Sequence, residues 1–283
     1  MPTRARVLGR LRFGPADPTT AVADGRWWWS AHTPDGPATI AIPLTEDGSS
    51  PMAWGPGADH LLARADALTG SGDDPSTFRP LHPALVAAAR RRGVPRLGAT
   101  GSVFTALVQA VLGQRVTTVE ALRSWASITR AFGTPAPGPD IGLMTAASAE
   151  RLAALPYYAL HPHGVERGRA STISRVASVE GRLDALAADN RLEALPGVGP
   201  WSVAHVRTKA LGDVDAVAVG DLHLPDLVAW VLAGERRGDD ARMLELLEPY
   251  SGHRARVIRL LVEGTLGPPR RAPYRRLEPN ARR

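Results

Sequence analysis

Leu195-Pro196-Gly197-Val198-Gly199-Pro200-Trp201-Ser202 decides the fold of this 283-residue chain. It separates two helical patterns, roughly over 182–194 and 200–211, by a turn too short to be anything but a tight reversal. Gly197 and Gly199 are expected to adopt backbone conformations closed to other residues. Pro200 suits the first turn of the second helix, where backbone N–H groups have no partner within the helix. The spacing therefore predicts a helix, a glycine hairpin and a helix. N–H groups at such a helix start attract anions, so a nucleic-acid phosphate fits there and would be held without regard to base sequence. Arg207 and Lys209 stand nearby for longer-range attraction. An ordinary tight turn has the same sequence, and this stretch alone does not separate the two readings.

Downstream runs Val219-Gly220-Asp221-Leu222-His223-Leu224-Pro225, just ahead of a helical pattern over 224–233. An aspartate at a helix start is most often an N-cap. One hairpin away from a phosphate grip, however, a fixed carboxylate has a second use: it stabilises the oxocarbenium character that a sugar develops when its glycosidic bond breaks. Upstream, helical patterns over 104–112 and 119–125 flank Gly113-Gln114-Arg115-Val116, and others cover 83–92, 148–154, 166–179, 239–247 and 253–264. Pro135-Ala136-Pro137-Gly138-Pro139 reads as a loop. The front differs. Residues 18–44 alternate short Thr-, Val-, Ile- and Trp-rich runs with Asp24-Gly25 and Pro34-Asp35-Gly36-Pro37, which predicts strands and turns. Trp27-Trp28-Trp29-Ser30-Ala31 and Ala38-Thr39-Ile40-Ala41-Ile42 form a hairpin in this reading, with Asp35-Gly36 supplying the turn. The three tryptophans read as core, with base stacking as the minor alternative.

Lys plus Arg number 34 against 28 Asp plus Glu, a formal net charge of +6 carried almost wholly by arginine, which favours a polyanionic partner. The absence of cysteine excludes disulfides, thiolate zinc sites, a Cys nucleophile and Cys-ligated iron–sulfur clusters. Residues 1–14 carry Arg4, Arg6, Arg10 and Arg12 among scattered apolar residues and lack the apolar core of a signal peptide. No run reaches the ~18–20 apolar residues that span a bilayer. A soluble cytoplasmic, nucleoid-associated protein without a membrane partner is therefore expected. His161-Pro162-His163 has no carboxylate or Cys cluster beside it and reads as a loop, so no metal is expected. Pro residues and six arginines over 268–283 predict a basic tail.

These motifs resemble the helix-hairpin-helix (HhH-GPD) DNA glycosylase superfamily, whose signature is the Leu-Pro-Gly-Val-Gly hairpin followed by an essential aspartate. Ala110-Val111-Leu112-Gly113-Gln114-Arg115-Val116-Thr117 and Gly164-Val165-Glu166-Arg167-Gly168-Arg169-Ala170 bring it nearest to 3-methyladenine DNA glycosylase II and its actinobacterial relatives. The resemblance covers about 100–265. It implies a mainly α protein: a helical glycosylase body over 96–267, preceded by a small α/β domain with an antiparallel sheet over 1–95.

The same resemblance implies a monofunctional enzyme that flips an alkylated purine, such as 3-methyladenine, out of damaged double-stranded DNA and hydrolyses its N-glycosidic bond. It would work as a monomer and without a cofactor. Asp221 matches the catalytic aspartate, and Leu195, Gly197, Val198, Gly199 and Ser202 match the DNA-gripping hairpin. Trp201 stands where bifunctional relatives carry a nucleophilic lysine, which argues against strand-cutting lyase chemistry. It would instead wall the base pocket or pack between helices. His205 and His223 are placed about the same pocket, His205 to hydrogen-bond a base edge or to pack. Gln114 and Arg115 lie in the loop that fills the gap left by the flipped nucleotide. Gly220 takes the place of a second acidic residue, and the last helix offers His253, Arg254 and Arg259 where a tryptophan lines the relatives' pocket. Two alternatives remain at this stage: a glycosylase for deaminated or bulky adducted purines, and a damaged-DNA-binding protein without catalysis, against which Asp221 argues.

Overall fold

The computed structural model describes residues 3–45 and 48–264. The basic tail expected over 268–283 lies outside the described residues, as do 265–267 of the predicted body. The front half begins with α1 (Thr3–Leu11), then β1 (Thr20–Ala23), β2 (Arg26–Thr33), β3 (Gly36–Pro43) and β4 (Met52–Trp54), followed by α2 (Ala58–Ala63) and α3 (Ala65–Thr69). The four strands form one antiparallel sheet in the order β1-β2-β3-β4. At the β1–β2 turn Asp24 and Gly25 have φ of 50° and 68°, the left-handed pair that matches the twist of a two-residue hairpin. The β2–β3 turn is shifted by one residue from the predicted Asp35-Gly36. Thr33 pairs with Gly36, so Pro34 and Asp35 form the turn, closed by the Thr33 hydroxyl donating to the Gly36 carbonyl at 2.8 Å.

All three tryptophans of β2 are buried. Side chains alternate across a strand, so Trp27 and Trp29 pack with Leu8, Leu11 and Leu61 on the face covered by α1 and α2. Trp28 lies on the other face, stacked on Trp54 at 5.2 Å between centroids. That geometry leaves none of them as a stacking platform for bases.

The rest is helical: α4 (Pro83–Arg92), α5 (Val103–Gly113), α6 (Thr118–Phe132), α7 (Ala149–Ala154), α8 (Arg167–Ser178), α9 (Leu183–Ala188), α10 (Pro200–Ala210), α11 (Leu224–Ala233), α12 (Asp240–Leu247) and α13 (Arg254–Glu263), with a minimal strand pair, β5 (Thr134–Pro135) and β6 (Met144–Thr145), after α6. Helix α4 falls within the segment 1–95 that sequence assigns to the front domain, yet Leu85 and Ala88 pack among Leu224, Val228, Met243, Leu247 and Val257 of α11, α12 and α13. The other core of the body joins α5 to α6 and α8 through Leu112, Trp125 and Ile173, and to α10 through Leu107 and Val206.

Two devices fix the turn between α5 and α6. Thr117 and Glu120 form a reciprocal capping box at the start of α6. Arg169 is buried, and its guanidinium donates to the Leu112 carbonyl at 2.8 Å, to the Gly164 carbonyl at 3.1 Å and to Glu166, the N-cap of α8. The Gly164–Ala170 motif thus holds the C-terminus of α5, from which Gln114 and Arg115 emerge. No helix among the described residues is long and apolar enough to cross a membrane.

Candidate active site

The hairpin enters through Leu195 and reverses at Gly197, whose φ of 92° lies in the region that favours glycine. A Cβ there would stand 2.3 Å from the Thr172 hydroxyl. Val198 turns inward and is buried with Val103 and Val176. Gly199 does not match the expectation made for it: its φ of −113° and ψ of 179° are extended backbone open to any residue, and nothing lies within 4 Å of the place a Cβ would take. The fold therefore requires glycine at 197 but not at 199. Helix α10 begins at once with Pro200, and no side chain caps it, which leaves its leading N–H groups without a capping partner. The hairpin is braced from behind: Arg175 donates to the Pro196 carbonyl at 2.7 Å, and Gln114 donates to the Gly197 carbonyl at 2.9 Å and to the Ser202 hydroxyl at 2.8 Å.

Asp221 is reached by a loop that needs glycine at 220, where φ is 87° and the N–H is bonded to the Asp240 carboxylate. The Asp221 carboxylate accepts three hydrogen bonds. One oxygen takes the backbone N–H groups of His223 and Leu224, each at 2.9 Å, and the other takes the Trp201 indole N–H at 2.9 Å. The aspartate is thus both a cap on α11 and a carboxylate whose second oxygen is aimed by a side chain of the hairpin helix. Trp201 is wedged in turn. Its ring lies so close to Gly113 that a Cβ there would stand 3.0 Å from it, and its other side stacks on His205, one turn along α10, at 5.1 Å and 25°.

Behind this cluster lies a cavity of about 280 Å³, near the small end of ligand-pocket sizes. Its lining includes Ala218 and Leu224, the backbone partners of Asp221, and the His205 ring. From there it runs between α1, α10 and α13. Burial holds the His205 imidazole down to about 4, helped by Lys209 and Arg259 and opposed by Asp221, so it is neutral at physiological pH. Lys209 is the only lysine in the sequence. Its ammonium donates to Gln109 Oε1 at 2.7 Å and stands 5.1 Å from the Phe13 ring centroid, and burial lowers it to about 8.

No family model matches the chain. A "Probable bifunctional transcriptional activator/DNA repair enzyme AlkA" of Mycobacterium tuberculosis is 33% identical over 147 residues, 50% of this chain and 29% of the relative. The chain thus spans less than a third of the length of the curated relatives it matches. Among solved structures, a 3-methyladenine DNA-glycosylase from Archaeoglobus fulgidus superposes with a TM-score of 0.71 and 19% identity, covering 91% of this chain and 93% of that one. An 8-oxoguanine glycosylase/lyase of Clostridium acetobutylicum superposes with a TM-score of 0.60 and 11% identity, covering 88% and 89%. The chain has the fold of the helix-hairpin-helix DNA glycosylases.

Within that fold the residues singled out from sequence separate into groups. Asp221, Trp201 and His205 come together, with Leu195, Gly197, Val198 and Gly199 adjoining them through α10. His205 lines the cavity, while Trp201 packs against His205 and Gly113 and is not among the lining residues. His223 is exposed and does not line this cavity, and its backbone N–H serves Asp221. Ser202 is buried, with its hydroxyl held by Gln114. Gln114 is turned into the hairpin. Arg115 is exposed and holds a φ of 55°, unusual for a residue with a side chain. Neither cation expected to attract phosphate is free for it: Arg207 is paired with Asp213 at 2.6 Å, and Lys209 faces the cavity. Of the three residues on the last helix only Arg259 reaches the cavity. His253 meets Phe78 and Thr77, and Arg254 pairs with Asp215. Sequence reading missed Arg10 of α1, which lines the cavity from nearly two hundred residues away, and Asp240, which fixes the Gly220 turn.

Proposed function

We propose that this chain is a monofunctional DNA N-glycosylase that takes an alkylated purine out of duplex DNA and hydrolyses its bond to deoxyribose. One observation carries the reading. A carboxylate locked by three N–H donors lies between an uncapped helix start that suits a backbone phosphate and a cavity that suits a base. In this mechanism the N–H groups at the start of α10 hold a phosphate beside the lesion, and the open space at Gly199 lets the strand approach the backbone closely. Arg115, exposed on a turn anchored by Arg169, enters the gap that the flipped nucleotide leaves.

As the C1′–N bond breaks, its electron pair leaves with the base and positive charge grows on the sugar. Asp221 faces that charge and orients the water that attacks C1′, giving a C1′ hydroxyl and the free base. Its three donors keep it in one place while the charge develops. Water is the nucleophile, so no metal or organic cofactor enters this scheme, and one protomer contains every group it uses. The printed names of the relatives, which include 3-methyladenine glycosylase and DNA repair enzyme, support the lesion class and a nucleoid setting in the cytoplasm.

Trp201 supports the monofunctional half, because indole nitrogen forms no imine with the sugar. Lys209 is the one lysine that could, and it lies two turns farther along α10, about 12 Å by helical rise. Incubation with lesion-containing duplexes should release free base and leave an abasic strand that breaks only on alkaline treatment. Borohydride should trap no adduct. An adduct lost on changing Lys209 would move the protein to the bifunctional enzymes, and no base released from any lesion would end the glycosylase reading.

A further inference from the structure

The lining of the cavity behind Asp221 is electrically one-sided. Arg10, Arg12, Arg96, Lys209 and Arg259 contribute to it, and no aspartate or glutamate does. Three of the five are spoken for by neighbours. Arg10 pairs with Glu263 at 2.6 Å, Arg12 bonds Thr20 and the Pro15 carbonyl, and Arg96 bonds the carbonyls of Gly70, Ser71 and Asp73. Lys209 donates to the neutral Gln109 and faces the Phe13 ring, and its attraction to Asp17 falls short of an ion pair. Arg259 is the outlier: partly buried between α1 and α10, it makes no hydrogen bond or ion pair among the described residues, and repulsion by nearby Arg10 adds to its burial, against the attraction of Glu263. A guanidinium is a set of donors with no acceptor, and leaving it partly buried and unmatched is unfavourable. What completes it is an acceptor-bearing group in the cavity.

We infer that Arg259 and Lys209 select the base, so that the enzyme prefers alkylated purines without fixed charge and with free acceptor atoms over purines methylated to cations. This rests on the glycosylase reading above and narrows its substrate. A cationic purine brought beside two side-chain cations that lack ion-pair partners is repelled in a partly buried site. A neutral purine offers ring nitrogens or carbonyl oxygens to both side chains. The same cations act on its departure. A neutral base leaves with the electron pair of the C1′–N bond and carries negative charge until water supplies a proton. Arg259 and Lys209 face that charge while Asp221 faces the sugar. A cationic base leaves neutral and gains nothing from them. The arrangement therefore helps the lesion whose departure is intrinsically slow.

The test is single-turnover excision from duplexes carrying 1,N6-ethenoadenine, an uncharged alkylation product, or 3-methyladenine, a cationic one. Each rate is divided by the spontaneous release of the same base. The wild-type protein should accelerate release of the ethenoadenine more. Arg259→Gln should reduce that preference at least tenfold, and Arg259→Lys should retain most of it. Equal preference in wild type and Arg259→Gln, or greater wild-type acceleration of 3-methyladenine, would overturn the inference while leaving the glycosylase reading intact. Release of neither base would remove both. Should Arg259→Gln fail to fold, as judged by its thermal transition, the wild-type preference decides alone.

Discussion

The hairpin at 195–202 and the cavity behind Asp221 are neighbours that are built in opposite ways. The hairpin is eight consecutive residues whose geometry is dictated locally, by the positive φ at Gly197, the buried Val198 and Pro200 at the helix start. The cavity is assembled from α1, residues 96–98, α10, Ala216, Ala218, Leu224 and α13, drawn from both ends of the described chain. The part that would hold DNA without regard to sequence is thus a local motif, and the part that would choose a base is a product of tertiary packing. A motif of the first kind can recur unchanged between enzymes while a site of the second kind changes its charge. The join between them is Asp221, held by Trp201 from the hairpin side and by the start of α11 from the other.

Cutting that join should have the largest effect. Asp221→Asn keeps the shape and removes the charge that faces the sugar. Excision should fall by at least about a hundredfold with duplex affinity retained, the scale expected when one preorganised electrostatic group is lost. Near-wild-type single-turnover rates would demote Asp221 to a helix cap. The two hairpin glycines come next, and they should respond differently. Gly197→Ala forces a side chain into positive φ against Thr172 and should destabilise the fold by at least about 2 kcal/mol, read from denaturant unfolding. Gly199→Ala meets nothing in the protein and should leave stability within about 1 kcal/mol. It should weaken binding to damaged and undamaged duplexes alike by about tenfold, because the new methyl group stands where a phosphate approaches. Loss of lesion binding alone would mean that the hairpin reads bases.

This contrast also sets what could be read from the sequence. Gly197, Pro200 and the spacing to Asp221 were legible because a turn and a helix start depend on residues within a few positions of each other. Gly199 was legible as a signal but not for the reason first attached to it. Its backbone is ordinary, and its lack of a side chain matters to what lies outside the protein. His223 lies two residues from Asp221, and the turn that presents its N–H to the carboxylate leaves its side chain exposed. The antiparallel front sheet and the helical body followed from residue pattern. The packing of α4 against α11, α12 and α13 did not, since an alanine-rich helix carries little sign of its partner. Nothing near Arg10, Lys209 or Arg259 in the chain marks them as parts of one lining.

Trp201 tests the join more gently. Trp201→Phe keeps a ring between Gly113 and His205 and removes only the N–H donated to Asp221. The carboxylate retains its two backbone donors, so the maximal excision rate should fall about threefold to tenfold with little change in duplex affinity. A loss of affinity with an unchanged rate would place Trp201 in DNA binding and detach it from Asp221.

The smallest effect is a pH dependence of base choice, and it belongs to the cavity alone. Lys209 is lowered to about 8, first by burial and then by Arg259 of α13, against the opposing pull of Asp17. The other groups around it are Gln109 of α5, the Phe13 ring, and His205 on its own helix, whose value of about 4 keeps it neutral above pH 7. Arg10 of α1 lines the same space and is paired with Glu263 at 2.6 Å. Raising the pH from 7 to 9 therefore takes one positive charge from the lining. Lys209 is cationic below its value of about 8 and neutral above it, so repulsion of a cationic purine weakens as the pH rises. The ratio of ethenoadenine to 3-methyladenine excision, each divided by its spontaneous rate at the same pH, should fall by about threefold across that interval. Forming the ratio cancels any titration that acts on both substrates equally, including effects on Asp221 or on duplex binding. Lys209→Met should show the lower ratio already at pH 7 and no further change up to pH 9. A ratio that stays flat in the wild-type protein would show that Lys209 does not face the base, and would leave Arg259 alone to account for selection.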